Sequence, residues 1–318
     1  MASYLVRKIG LLLLTMVVVS LVVFLALELN INDVAVHVLG PYSTADQRQS
    51  WLQEHGYFDL FILRYLRWLG AFFRGDWGFS TYYREDVNTL LPPYVANTAI
   101  LTGVSLVVMI PVALALGVIA GMREGGIVDR LVSILAVLTT SVPQFASAVF
   151  LSAIFVFWLG LLPGASAMTE GFSWTELVMP VLVLCLAGVG YLARMTRASM
   201  VEVMAQPYIR TALMKGASTR RIVLKHALRN ALIAPVTVIM LYIPWLLSNA
   251  IVVEVFFAYR GFGTLLYTAS LNHDIYLIEA CAMVSVIVVV CTQLLSDLAY
   301  GWLNPRISFS GATAAAAA

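Results

Sequence analysis

Residues 202–235, EVMAQPYIRTALMKGASTRRIVLKHALRNALIAP, set Arg210, Lys215, Arg220, Arg221, Lys225 and Arg229 against one acid, Glu202. Such a cluster can do two things. It can fix the orientation of a membrane protein, because cytoplasmic loops collect Lys and Arg, or it can present charge to a partner. Pro207 can open a short helix in which Ile209, Ala212 and Leu213 recur at helical spacing; Gly216 is placed to end it and Ser218 to cap a second one. In the second, Arg221, Lys225 and Arg229 follow at i, i+4 while Ile222, Val223, Ala227 and Leu228 form another face. The expectation is a folded, two-faced loop with a corner at Gly216.

No residue pattern for covalent or metal chemistry accompanies it. The sequence holds no G-x-x-x-x-G-K-[ST], no H-E-x-x-H and no G-x-S-x-G, and His37, His55, His226 and His273 are scattered singly. Cys185, Cys281 and Cys291 all fall in apolar runs, which argues against a disulfide frame or a cysteine-based metal site. Neither an enzyme nor a metal or other cofactor site is therefore expected in this chain.

Composition sets the class of element that must carry the loop. Of 318 residues 61% are hydrophobic and 11% charged, and the mean hydropathy is +0.90, more apolar surface than a soluble fold can hide from water. A net charge of +2 concentrated in one loop gives no reason to expect nucleic acid. Six all-α membrane spans are predicted, near 9–29, 96–121, 131–161, 177–193, 231–255 and 278–303. The first is nearer the roughly 20 residues of a span than the 7–15 of a signal-peptide core. With the N-terminus inside, Arg7, Lys8, Arg123, Arg130, Arg194, Arg197, the six loop bases and Arg306 lie on the cytoplasmic side. Outside remain Arg48, Arg64, Arg67, Arg74, Arg84 and Arg260, five of them in one long segment, so both termini are expected to be cytoplasmic. Ionisable groups in the spans, Glu28, Glu254, Glu279 and Asp297, stand close to span ends rather than at mid-bilayer, where an ion-coupled carrier would keep some.

Between the first two spans, Trp51, Phe58, Phe61, Ile62, Tyr65, Leu66, Trp68, Leu69, Phe72 and Phe73 lie among charges at helix-like intervals, which predicts amphipathic helices resting on the membrane or on the bundle. The third span is long enough either to bend at Pro143 or to tilt strongly, and a bend there is read as a plain kink in preference to an opened pathway-lining turn. Ser141, Gln144, Ser147, Tyr242, Ser248 and Asn249 are polar groups in apolar runs. They either line a pathway or hydrogen-bond between helices. The external loops offer Asp33, Asp76, Glu170, Trp174 and Asp274, without a convergent cluster that specifies one ligand.

Three stretches of the loop, Tyr208-Ile209-Arg210-Thr211-Ala212, Lys215-Gly216 and His226-Ala227-Leu228-Arg229-Asn230-Ala231-Leu232, together resemble the cytoplasmic coupling loop of ABC importer permeases of the oligopeptide, dipeptide and nickel group. Ala193-Arg194-Met195-Thr196-Arg197-Ala198-Ser199 is similar to the pattern preceding that loop, and Gly75-Asp76-Trp77-Gly78-Phe79-Ser80 to the family's Gly-Asp-Leu-Gly-x-Ser. Ser141-Val142-Pro143-Gln144-Phe145, Val253-Glu254-Val255-Phe256, Gly261-Phe262-Gly263 and Asn304-Pro305-Arg306 add to the resemblance, as does His273-Asp274-Ile275-Tyr276, with His for Arg and Ile-Tyr for Tyr-Pro. One departure stands out: the family's Leu-Pro-Gly-Asp-Pro after the first span is replaced by Leu29-Asn30-Ile31-Asn32-Asp33.

The resemblance, which covers 4–307, implies the type I ABC importer permease fold and half of a translocation pathway for a peptide-like solute, with chelated nickel or an oligosaccharide as alternatives. It implies a second homologous permease subunit, two P-loop ATPase subunits that bind the ATP and Mg, an extracytoplasmic solute-binding protein, and a place in the bacterial inner membrane. Tyr208, Arg210, Thr211, Ala212, Lys215, Gly216, Arg221, Lys225, His226, Arg229 and Asn230 would form the ATPase-coupling surface, and Asp76, Trp77 and Asp274 would meet the binding protein. The implied organisation is a tail and first span over 1–29, an external segment over 30–95, and a five-helix core over 96–307 with the coupling loop at 197–230; 308–318 reads as a linker or tag remnant. The rival reading is a self-contained secondary carrier or channel.

Overall fold

The structure, a computed structural model, describes residues 2–28, 31–40, 42–169 and 171–303. Glu170, the Asn304-Pro305-Arg306 ending, the tail, and Leu29-Asn30 of the departing motif lie outside the described residues. All the regular elements described are helical, and the described residues divide into two units, one of residues up to Ala96 with Gly261–Thr292, the other of Asn97–Arg260 with residues 293–303.

In the first unit α1 (Ala2–Glu28) is followed by α2 (Ile31–Leu39), α3 (Ala45–Glu54) and α4 (Phe61–Phe73). Thr44 opens α3 through a reciprocal capping box with Gln47. The aromatic side of α4 packs on α1: Phe24 is 2% exposed, with ring centroids 5.5 Å from Phe61, 5.6 Å from Tyr65 and 5.3 Å from Trp68. The hydroxyls of Ser20 and Tyr65 are 2.7 Å apart. α4 thus rests on a helix of its own unit. Val87, Leu90 and Leu91, which begin α5 (Val87–Gly121), cluster with Leu265 and Ala269 of α13 (Phe262–Leu271) and with Leu277, Ala280 and Cys281 of α14 (Ile275–Leu303). That burial explains why α5 starts nine residues before the hydropathy edge at 96 and runs through Pro92 and Pro93.

The second unit holds the rest of α5, α6 (Ile127–Ser141), α7 (Gln144–Ser152), α8 (Trp174–Met204) and α12 (Ile233–Phe256), the last two joined by the loop elements described below. Small residues let α5 and α8 touch. A Cβ built on Gly117 would lie 2.4 Å from Thr196 Cβ and 2.6 Å from the Ala193 carbonyl oxygen; one on Gly121 would lie 2.7 Å from Met200 Cβ. α8 also outlasts its predicted end at 193 by eleven residues, because its last turns carry Arg194 and Arg197, which hydropathy reads as loop.

Among the described residues five helical stretches, Ile9–Leu27, Val87–Gly121, Trp174–Met204, Ile233–Phe256 and Ile275–Ser296, are long and apolar enough to cross a membrane. The expected third span is where the structure departs most from the sequence reading. It is not one helix with a kink: α6 and the helix beginning at Gln144 meet at an angle of 107°, and the pair makes a sixth crossing only if counted as one broken span. The cause lies at Val142, held at φ −87°, ψ 127° by the following proline, and at Pro143, which has no N–H to continue the ladder. A π-helical stretch, Ala153–Trp158, closes the second half.

Candidate functional site

The basic loop folds against the end of α8. Pro207 is the first residue of α9 (Pro207–Met214), and Gly216 at φ +75° ends it. Gly216 N–H donates to Leu213 O (2.9 Å) and Ala217 N–H to Ala212 O (3.2 Å), the paired bonds of a Schellman cap. Ser218 occupies the N-cap position of α10 (Thr219–Arg221), but its side chain makes no capping bond. One continuous helix was expected from there; instead a π-helical stretch, Ile222–Ala227, lies between α10 and α11 (Leu228–Ala231), closed by Leu228 N–H on Val223 O. The wider turn breaks the i, i+4 alignment of Arg221, Lys225 and Arg229.

Ile209, Ile222, Val223, Ala227 and Ala231 form a buried cluster with Met200 of α8, and Ala212 packs at its margin. Ser199 Oγ donates to Ala231 O at 2.8 Å, and Asn230 Nδ2 donates to the Tyr208 hydroxyl at 2.9 Å, which ties the two ends of the loop. Arg210, Thr211, Lys215, Arg221, Lys225 and Arg229 are exposed and His226 is half-buried. Among the described residues none of the six bases is ion-paired. Sequence reasoning missed the apolar part of this outer face. Leu213, Met214 and Leu224 are 52%, 82% and 60% exposed, beside Tyr208 at 41%. Bases and large apolar side chains are thus exposed together on the folded loop.

Just before the loop, Arg197 near the end of α8 grips Asp129 in the first turn of α6. Its Nε and Nη2 donate to the two carboxylate oxygens at 2.8 Å each, and Gly125 N–H adds a bond of 2.9 Å to Oδ2. Asp129 is 3% exposed.

The six polar residues considered for a pathway are not brought together as one set. Ser141, Ser248 and Asn249 satisfy their donors on Val137 O (2.8 Å), Pro244 O (3.3 Å) and Trp245 O (2.8 Å) of their own helices. Ser147 is buried. The Gln144 carboxamide, at the break, and the Tyr242 hydroxyl have no hydrogen-bond partner among the described residues. Tyr242 does line a cavity of about 410 Å³, with Thr140, Ala187, Tyr191, Val238, Leu241 and Trp245. Its ring stacks 6.2 Å from Tyr191 and lies 4.8 Å from Trp245. The aromatic pair Tyr191 and Trp245 was missed because aromatics in apolar runs read as core.

The chain matches the model of the family described as "binding-protein-dependent transport system inner membrane component" over residues 113–309. It belongs to that family. Relatives are similar over their whole length: the oligopeptide transport system permease protein AppB of Bacillus subtilis (strain 168) is 28% identical over 316 residues, covering 97% of this chain and 100% of the relative. The glutathione transport system permease protein GsiC of Shigella flexneri serotype 5b is 33% identical over 309 residues, with the same two coverages. The fold is shared with a chain from a structure described as inward-facing conformations of the MetNI methionine ABC transporter, at TM-score 0.56 and 20% identity, covering 67% of this chain and 96% of that one. The protein is thus a multi-pass inner-membrane permease that works with a binding protein, and ATP hydrolysis belongs to separate ATPase subunits.

The matched residues of this permease include the docked loop, the α6–α7 break and Asp274. One expected contact residue needs correcting: Asp274 is 0% exposed and so cannot face a binding protein in this structure. Its Oδ2 accepts the Ser80 hydroxyl at 2.6 Å and Tyr82 N–H at 3.2 Å, and Oδ1 accepts Leu277 N–H at 3.4 Å, holding the 80–82 turn to α14. Asp76 is exposed, whereas Trp77 is half-buried, stacked 5.3 Å from Phe72 with Nε1 donating to Phe72 O at 3.0 Å. Asp274→Ala strands three donors, the Ser80 hydroxyl and the Tyr82 and Leu277 N–H groups, and is expected to cost about 1–3 kcal/mol or more. Limited proteolysis around 80–84 should speed up with it and not with Asp76→Ala.

The Glu-x-Val-Phe motif also serves structure. Thr98 donates to the buried Glu254 carboxylate, and the Tyr259 hydroxyl donates to Asn97 O at 2.8 Å. Burial, with the Glu254 charge adding to it, pushes the Tyr259 phenol up to about 12.

Proposed function

We propose that this permease forms half of a translocation pathway for peptide-like solutes, paired with a second homologous permease and seated on two P-loop ATPase subunits. The observation that carries the proposal is the loop from α9 to α11. Its apolar face is fixed to α8, and six unpaired bases with Tyr208, Leu213, Met214 and Leu224 are turned outward. In this reading Tyr208, Arg210, Thr211, Lys215, Arg221, Lys225, His226, Arg229 and Asn230 meet an ATPase subunit, while Ala212 and Gly216 give the loop its shape.

The segment 30–95 forms a cap toward the binding protein, with Asp76 available on its surface. Tyr242, with Tyr191 and Trp245, lines this subunit's side of the pathway. Peptide-like cargo is supported by the names of the full-length relatives, an oligopeptide permease and a permease for glutathione, itself a tripeptide. Among the described residues no cluster of charged side chains lines the Tyr242 cavity to fix one ligand, so selectivity is assigned mainly to the binding protein. In a strain where only the binding protein is exchanged, the set of peptides taken up should follow the new protein. Unchanged selectivity would place recognition in the permease and contradict this assignment.

A further inference from the structure

The ion pair Asp129–Arg197 of the second unit belongs neither to the loop's buried cluster nor to the lining of the Tyr242 cavity. Asp129 and Arg197 make a two-bond fork at 2.8 Å with side chains 5% and 29% exposed, between the first turn of α6 and the end of α8. The same two helices are joined at a second place. A Cβ on Gly190 of α8 would lie 2.3 Å from Thr139 Oγ1 and 2.8 Å from Ala136 O of α6, so the helix surfaces are in direct contact there. The two attachments stand seven residues apart on both helices, Asp129 to Ala136 and Arg197 to Gly190, which is two turns or about 10 Å. Two fixed points prevent α6 from sliding along α8 or swinging away from it.

Each end of this joined pair leads somewhere. Two residues past Arg197, Ser199 holds the loop at Ala231 O, and Met200 sits in the loop's buried cluster. At the other end Thr139 is three residues before Val142, where the chain turns by 107° into α7. We propose that Asp129 and Arg197 are positioning residues that make α6 and the end of α8 one rigid arm, which carries displacement of the loop to the break at Val142–Pro143. The fork suits this task because its two parallel bonds fix direction as well as distance. A lysine at 197 keeps the charge and loses the fixed direction.

The inference rests on the proposed permease role, and the test separates the two. Complexes of this chain with its partner permease and ATPases are reconstituted in liposomes, and ATP hydrolysis per assembled complex is measured with and without solute-loaded binding protein. Arg197→Lys and Asp129→Asn are expected to assemble and to keep basal hydrolysis. Their stimulated-to-basal ratio should fall about 3- to 30-fold. Exchanging the partners, Asp129→Arg with Arg197→Asp, sets a guanidinium and a carboxylate face to face again, and this double variant should recover part of the ratio.

A wild-type complex that the loaded binding protein does not stimulate would overturn the permease reading itself and the arm with it. Stimulation of both single variants at the wild-type ratio would overturn the arm alone. So would basal and stimulated rates falling together with the assembled fraction, which is what a purely structural pair gives, or a double variant no better than the singles.

Discussion

Gly216→Val is expected to leave the protein inserted and folded while cutting binding-protein-stimulated ATP hydrolysis by about 5- to 30-fold. Gly216 sits at φ +75° with nothing within 4 Å of where a Cβ would be, so the first side-chain carbon of valine has room and the cost at this position is backbone strain. That strain is about 1–2 kcal/mol for a left-handed residue, enough to shift the population of the corner by a factor of about 5–30. The Schellman bonds from Gly216 and Ala217 set the direction of the chain into the π-helical stretch. Relief of the strain therefore re-aims the half of the loop that carries Arg221, Lys225 and Arg229. Lys225→Ala is the contrasting variant. Lys225 is exposed and unpaired, and a single surface ion pair to a partner is worth only about 0–1 kcal/mol. Equal coupling in the two variants, measured on assembled complexes in liposomes, would mean that the corner does not transmit anything.

Gly117→Ala should be among the most destabilising single-methyl changes in the protein. The added carbon would lie 2.6 Å from the Ala193 carbonyl oxygen and 2.4 Å from Thr196 Cβ, neither of which is the free end of a flexible side chain. Relief requires α5 and α8 to separate, and overpacking of this kind costs about 1–3 kcal/mol, with rigid sites at or above the upper end. Gly103 of the same helix has nothing within 4 Å of the place an added methyl would take. Gly103→Ala is accordingly expected to be neutral or slightly stabilising, in line with a helix preference of about 0.5–1 kcal/mol for Ala over Gly. Thermal denaturation of the purified variants in one detergent would show the split. Similar midpoints would contradict the close approach of the two helices.

The loop was legible because its signals are local. Pro207 and Gly216 act on the backbone within a few residues, and the apolar set Ile209, Ile222, Val223 and Ala227 shares one face whichever helix it meets. The spans were legible from hydropathy, but their ends were not. α8 carries Arg194 and Arg197 on a helix that hydropathy cuts at 193, and α5 begins at Val87 because tertiary packing overrides Pro92 and Pro93. The size of the turn at Val142–Pro143 also lay beyond the sequence: proline dictates that the ladder breaks and leaves the angle open. Asp274 looked like an external acid because its partners, Ser80 and Tyr82, are almost two hundred residues away in the chain. The Asp129–Arg197 fork escaped for the same reason, since each residue alone reads as a charge at a span end.

The central claim, an importer subunit whose loop takes its energy from separate ATPases, is tested most directly by solute uptake into liposomes. This chain is reconstituted either by itself or with its partner permease and ATPases, in the presence of loaded binding protein and ATP. Uptake is expected only in the complete assembly and should be lost when ATP or the binding protein is withheld. Uptake by the chain alone, down a solute gradient or driven by an ion gradient, would contradict it and make the protein a self-contained carrier.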